Sequence, residues 1–203
     1  MKGRFAMISI RAAAMAFMMV AGLAGHALAA DGAGPVLLKP ADPQPAGLSA
    51  GLAVQYAYPG DMRYLHDAES ARGRAEDGPP LIGFDYPDSF QGAKVMTSTR
   101  TVRVAAFIEG YIRFDTPGIW RMQFHSNDGL SVSIGGREVY RHDGRHACNT
   151  EGWKNEFEVP SAGWYPVKAT YFQRLGTSCM MMQWQPPGRN MTWTPTDVYG
   201  FKP

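Results

Sequence analysis

One short segment of this chain gathers side chains that can bind metal ions. Within seven residues it holds two histidines, an aspartate and a cysteine, all of which serve as transition-metal ligands. The segment reads His142-Asp143-Gly144-Arg145-His146-Ala147-Cys148. The histidine spacing suits a helical turn, whereas Gly144 and the polar surroundings indicate a loop. Two interpretations therefore stay open: a metal site, or an exposed polar loop that is pinned by a disulfide.

An aromatic residue follows in the same region of the sequence. Trp153 has polar neighbours, so we expect it to be more exposed than Trp120 and Trp184, which lie on alternating apolar strands and are predicted to be core residues. An exposed indole can stack on a sugar ring, but it can equally anchor a protein interface. We predict that Trp153 binds ligand together with polar residues of the same loop: Arg145, His146 and Asn149.

The residue patterns of the common enzyme classes are missing from the sequence. It contains no nucleophile-elbow motif, no phosphate-binding loop and no dinucleotide-binding fingerprint. The carboxylates are scattered and do not define the pair that glycoside hydrolysis requires. We therefore predict that the protein is not an enzyme.

The first 29 residues have the pattern of a secretory signal peptide. Lys2, Arg4 and Arg11 precede the apolar run 12–23, and Ala27-Leu28-Ala29 forms a cleavage site. The alternative is an uncleaved membrane anchor, but the run is shorter than the roughly 20 apolar residues that span a bilayer. No second segment is long enough to cross a membrane, so we predict a periplasmic or secreted protein without a transmembrane segment in its mature chain.

Removal of that peptide changes the charge balance. The full chain has 20 basic and 18 acidic residues, and the signal peptide contains three of the basic ones. The mature chain then carries 17 basic against 18 acidic residues, a net charge of −1. A nearly neutral chain lacks the general attraction for phosphate that nucleic-acid binding needs, so no nucleic-acid partner is expected.

The two cysteines, Cys148 and Cys179, are predicted to form a disulfide. An even cysteine count in an exported chain favours this pairing. The bond would close a loop of about 30 residues and stabilise the fold by roughly 3–4 kcal/mol. The alternative is two buried free thiols.

The remaining pattern predicts an all-β chain. Residues 30–50 are rich in proline and alanine and read as an extended linker or arm, and residues 51–203 form the domain. Apolar and polar residues alternate in 119–125 and again in 130–134, with Asp128-Gly129 as a tight turn between them. Short alternating strands separated by glycine-rich turns are typical of a β-sandwich or barrel.

Five motifs in a fixed order resemble the PA14 family. They are FIEGYI at 107–112, PGIW at 117–120, SNDGLSVSIGG at 126–136, SAGWYPV at 161–167 and MQWQPPG at 182–188. The resemblance covers residues 50–190 and implies a two-sheet antiparallel β-sandwich of PA14 type. It also implies roles found across that family, namely sugar binding or contact between proteins.

The resemblance further implies a calcium site at Asn127 and Asp128. In the calcium-dependent lectins of the family two consecutive aspartates at this turn bind Ca²⁺, and the ion holds sugar hydroxyls. This sequence has asparagine at the first position, which removes one of the charges that calcium prefers. The alternative is that Asp128-Gly129 simply shapes a hairpin.

Two functions remain in competition. The first is a non-catalytic extracytoplasmic binding module whose ligand is a glycan. The second is an accessory or structural subunit of a larger periplasmic or membrane-attached protein complex, with the proline-rich arm at 30–50 lying along the partner.

Overall fold

The computed structural model describes residues 34–203, so the predicted signal peptide lies outside the described residues. The chain folds into two packed β-sheets, as the resemblance to the PA14 family implied. The strands before the long central pair are β1 (Val36–Leu37), β2 (Ser49–Ala50), β3 (Leu52–Ala57), β4 (Glu76–Leu81) and β5 (Asp85–Tyr86). The following strands are β6 (Val104–Phe114), β7 (Gly118–Asn127), β8 (Leu130–Ile134), β9 (Arg137–His142), β10 (Glu156–Val159), β11 (Gly163–Gln173), β12 (Cys179–Gln185), β13 (Thr192–Trp193) and β14 (Tyr199–Phe201).

The two sheets have six and eight strands. The six-stranded sheet has the order β1-β10-β7-β12-β13, and β5 also pairs with β12. The eight-stranded sheet has the order β2-β14-β6-β11-β8-β9, and β3 joins β6 to β4. Within residues 34–203 all of these pairings are antiparallel except that of β1 with β10. The predicted two-sheet sandwich is confirmed.

The core lies between the sheets and is rich in aromatic residues. On β7 the alternate residues Trp120 and Phe124 are buried, as predicted, and Trp184 of β12 is buried beside them. Phe114 packs edge-on against Trp120, with 4.9 Å between ring centroids. Such pairs add about 0.5–1.5 kcal/mol to the free energy gained by burial alone. The inward row of β7 is thus fixed, and its outward row must face solvent.

A short helix covers part of the outer face of the eight-stranded sheet. It consists of α1 (Leu65–Glu69), which is followed by a single 3₁₀ turn at Arg72–Arg74. Leu65 and Ala68 are buried against Phe107 of β6. The helix α1 leaves the outer face of the six-stranded sheet uncovered.

The segment before residue 51 lies against the sandwich. Strand β1 pairs in parallel with β10, and Leu38 is completely buried in the core. Strand β2 then pairs with β14. The domain limits at 30–50 and 51–203 stay a prediction, and the structure adds that 36–50 contacts the chain's own sheets.

Candidate functional site

Residues 143–155, which connect β9 to β10, form what we call the disulfide loop. Cys148 in its middle is bonded to Cys179, the first residue of β12. Cys179 in turn pairs with Asn127 at the end of β7. The predicted disulfide is therefore confirmed, and it holds the middle of the loop at one end of the six-stranded sheet.

A chain of hydrogen bonds fixes the same part of the loop. The Nδ1–H group of His146 donates to Oδ1 of Asn149 at 2.7 Å, so its Nε2 accepts from the Ser126 hydroxyl at 2.9 Å. The backbone N–H of Ser126 also donates to the Asn149 carbonyl. Serine, histidine and asparagine are connected here in the order found in hydrolase triads. Ser126 is completely buried, however, so its hydroxyl anchors the loop and cannot reach a substrate.

The two histidines of the loop lie face to face. The rings of His142 and His146 are stacked with 3.7 Å between their centroids, and Nδ1 of His142 lies 2.9 Å from the Glu151 carboxylate. Burial lowers the pKa of His146, and the nearby His142 lowers it further, against the opposing effect of the Asn149 hydrogen bond. His146 is therefore neutral near pH 7, as its hydrogen bonds require.

The turn at Asn127 and Asp128 lies beside this cluster and is part of the sandwich. The Asn127 side-chain amide donates to the Thr177 hydroxyl at 3.0 Å. Asp128 is buried, and its Oδ2 accepts from the backbone N–H of Arg174 at 2.7 Å. Burial raises the pKa of Asp128, although that hydrogen bond and the positive charge of Arg145 act in the opposite direction. Both side chains of the turn are thus already engaged by the protein.

Trp153, at the other end of the disulfide loop, lies over the outer face of the six-stranded sheet. Its side chain is 43% exposed, and the Arg121 guanidinium lies 4.4 Å from the ring centroid. Arg121 is held by Glu156, at 2.6 and 3.0 Å, and by the Gln185 side-chain oxygen at 3.3 Å. The indole therefore rests on a cation that is itself fixed from two sides.

Solved structures with the same architecture identify the fold. A PA14 sugar-binding domain from an RTX adhesin matches with a TM-score of 0.62 and 13% identity over 75% of this chain and 99% of its own. The PA14 domain of the antifreeze protein MpAFP matches with a TM-score of 0.63 and 15% identity over 79% and 95%. This chain has the PA14 fold. The epithelial adhesin 6 A domain of Candida glabrata, solved with Galb1-3GlcNAc, also matches the PA14 sandwich with a TM-score of 0.62 and 9% identity over 83% and 93%. No protein-family model and no curated protein matches the sequence.

The PA14 turn of this chain does not fit the calcium ion that the resemblance implied. Calcium takes about six to eight oxygen ligands, several of them carboxylates. Asp128 supplies one carboxylate, which already accepts a backbone hydrogen bond and lies near the positive charge of Arg145. Among residues 34–203 no three His, Cys, Asp or Glu side chains are grouped closely enough to hold a metal ion. The oxidised Cys148 also removes a thiolate from the transition-metal alternative.

The predicted ligand-binding residues separate into two places on the PA14 sandwich. His146 and Asn149 meet at Ser126, and Arg145 is exposed beside them. Trp153 lies over Arg121. Arg121 precedes Ser126 by five residues on β7, which corresponds to about 17 Å along an extended strand. The sheet residues that accompany Trp153 were therefore not predicted from the sequence. The alternation of β7 could have identified them, because Arg121 and Gln123 must face outward if Trp120 and Met122 face inward.

Proposed function

We propose that this protein is a non-catalytic, extracytoplasmic binding module for glycans. The observation that most supports this proposal is the polar cluster that the disulfide loop presents at one end of the PA14 sandwich. Arg145 and Asn149 are exposed there around the half-buried His146. Guanidinium donors and a side-chain amide are groups that hydrogen-bond sugar hydroxyls, and a disulfide next to them limits the entropy that binding would cost.

The matched structures support a glycan as the ligand. The RTX-adhesin domain is described as sugar-binding, and the epithelial adhesin domain was solved with a galactose-containing disaccharide. A shared fold does not transfer a ligand by itself, so the proposal depends on the polar groups of this chain. The near-neutral mature chain agrees with an uncharged ligand better than with nucleic acid.

Two further observations support the non-catalytic and extracytoplasmic parts of the proposal. The hydroxyl in the triad-like chain belongs to Ser126, which is shielded from any substrate. The Cys148–Cys179 disulfide is a bond that persists in oxidising compartments, either periplasmic or extracellular. Over the part of the chain that the structure describes, no helix has both the length and the apolar character needed to span a bilayer.

A glycan array probed with the mature chain, residues 30–203, tests the proposal. We expect binding to a defined group of glycans, with equal signal in calcium and in chelator. An Arg145→Ala/Asn149→Ala double variant should bind at least about tenfold more weakly, because the loss of a hydrogen bond from the charged Arg145 guanidinium alone costs about 1.5–3 kcal/mol. Arg74→Ala is the matched control, since Arg74 is an exposed arginine in the 3₁₀ turn after α1.

The array also distinguishes the alternative function. If the chain binds no glycan and instead co-purifies from its host with a larger protein in fixed ratio, the glycan proposal is wrong and the accessory-subunit hypothesis is supported. One reason for that hypothesis has weakened, because residues 36–50 contact the chain's own sheets at β10 and β14.

A further inference from the structure

The outer face of the six-stranded sheet carries an unusual row of side chains. Strand alternation turns amides, one guanidinium, one imidazole and one indole outward from three neighbouring strands. These residues are Arg121, Gln123 and His125 of β7, Gln183 and Gln185 of β12, and Trp193 of β13; the apolar Met181 of β12, opposite His125, lies in the same outward row. We call this set, together with Trp153, the amide face. It is separate from the Arg145–Asn149 cluster at the end of the sandwich.

Two exposed indoles lie at opposite ends of the amide face. Trp153 rests on the Arg121 guanidinium, and the Trp193 ring lies 5.2 Å from the His125 ring. Trp193 is 51% exposed. Arg121 and His125 are four residues apart on β7, so their backbone positions are about 13 Å apart. The two indoles are thus offset along the strands with polar groups between them.

The amides between the indoles are held in place by each other. The Gln123 side-chain NH₂ donates to the Gln183 oxygen, and the Gln185 oxygen accepts from Arg121. Among residues 34–203 this leaves the Gln123 carbonyl and the Gln183 NH₂ group without a protein partner. Acceptors and donors fixed side by side are the groups that bind vicinal hydroxyls.

The charge of the amide face favours an uncharged ligand. Arg121, its one cationic side chain, is paired with Glu156. No unpaired positive charge therefore remains among these described residues to attract phosphate, sulfate or uronate groups. Around the face, the exposed Glu158 of β10 adds one negative charge and the exposed Arg189, whose carbonyl accepts from the Gln185 side chain, adds one positive charge, so that these two charges balance.

The size of the amide face favours a narrow ligand over a protein. About 13 Å along the strands by two strand spacings of about 4.8 Å gives an area on the order of 130 Å². A stable protein interface buries about 800 Å² on each partner. Beyond Arg121 the face continues into a cleft of about 430 Å³, which is bounded by Ile119, Pro186 and Pro187. A linear chain could lie along the face and end in this cleft.

We propose that the amide face binds an uncharged polysaccharide, with sugar rings stacked on Trp153 and Trp193 and hydroxyls bonded by the amides between them. This inference rests on the proposed glycan-binding function and adds a second contact surface to it. An extended face contacts several sugar units, so affinity increases with chain length.

Native affinity electrophoresis tests the amide face directly. The mature chain is run through gels that contain hydroxyethylcellulose, a soluble β-1,3-glucan, galactomannan or, as an acidic probe, polygalacturonate. We expect retardation by at least one neutral polymer and none by polygalacturonate. Trp193→Ala and Gln183→Ala should each raise the apparent Kd about tenfold, equivalent to about 1.4 kcal/mol. Tyr64→Ala is the matched control, because Tyr64 is 50% exposed and precedes α1 on the opposite sheet.

The outcomes separate this inference from the proposed function. If neutral polymers retard the chain and Trp193→Ala has no effect while Arg145→Ala/Asn149→Ala abolishes retardation, the amide face is not a binding surface but the glycan function stands. If no polymer or glycan binds, both fail. If Trp193→Ala instead releases a co-purifying protein, the face is a protein contact and the proposal is overturned.

Discussion

Removal of the disulfide should destabilise the protein by an amount that can be calculated. Cys148 and Cys179 are separated by 31 residues. In the chain-entropy model a loop of this length restricts the unfolded state by about 12 cal/mol/K, which is about 3.7 kcal/mol at 25 °C. A domain of this size has a total stability of about 5–15 kcal/mol. The Cys148→Ala/Cys179→Ala variant should therefore stay folded but lose a quarter or more of its stability.

Urea unfolding followed by tryptophan fluorescence measures this loss. In a separate thermal unfolding experiment the melting temperature should fall by about 7–15 °C, since 1 kcal/mol corresponds to about 2–4 °C in a chain of this length. Alanine is chosen because Cys179 is buried and a serine hydroxyl would have no partner there. Reduction of the wild-type chain should reproduce the loss, and reduction of the variant should change nothing. A loss below about 1 kcal/mol would refute the reasoning, because Ser126 and His146 would then hold the loop without the bond.

Two further predictions concern the backbone and the pH. Gly51→Ala should destabilise the fold by about 2–4 kcal/mol, because Gly51 has φ +97° and a Cβ there would lie 2.1 Å from the Leu81 carbonyl oxygen. Gly60→Ala, where a Cβ would meet nothing within 4 Å, should be nearly neutral, and equal effects of both in urea unfolding would contradict this explanation. The pKa of His146 is lowered in the folded state, so folding favours the neutral imidazole. The contribution of His146 to stability is therefore complete above the unfolded pKa of about 6.5, and it is lost as the pH falls through the lower folded pKa. The free energy of unfolding should therefore decrease as the pH falls below about 6.5, and His146→Gln should reduce that decrease. An unchanged pH profile in the variant would show that His146 does not titrate in this way.

The fold could be predicted largely from local patterns. The alternation of 119–125 fixes which side of β7 faces the core, because side chains on successive residues of a strand point to opposite faces. The Asp128-Gly129 turn joins β7 to β8 in sequence. The order of strands within the sheets is different, because it depends on pairings between distant segments such as β7 with β12. Here the resemblance, rather than the pattern, supplied the two-sheet arrangement.

The candidate site was predictable in its parts but not in its grouping. Exposure of Trp153 followed from its polar neighbours, and the disulfide followed from the cysteine count and the signal peptide. The path of the disulfide loop could not be read from its sequence, since it is set by the Ser126–His146 hydrogen bond and by the contact of Trp153 with Arg121. Residues that are close in the loop therefore contact different parts of β7. Trp193 was missed because its neighbours in sequence give no sign of the His125 contact.

We propose that this chain binds glycans through two surfaces, the Arg145–Asn149 cluster and the amide face. The most direct measurement is titration of the ¹⁵N-labelled mature chain with soluble oligosaccharides from the array while the backbone and side-chain amide signals are followed by NMR. We expect saturable shifts at 145–149 and at the amide face, including the Gln123 and Gln183 side chains. An absence of shifts at millimolar oligosaccharide, or shifts confined to α1 and the eight-stranded sheet, would contradict it.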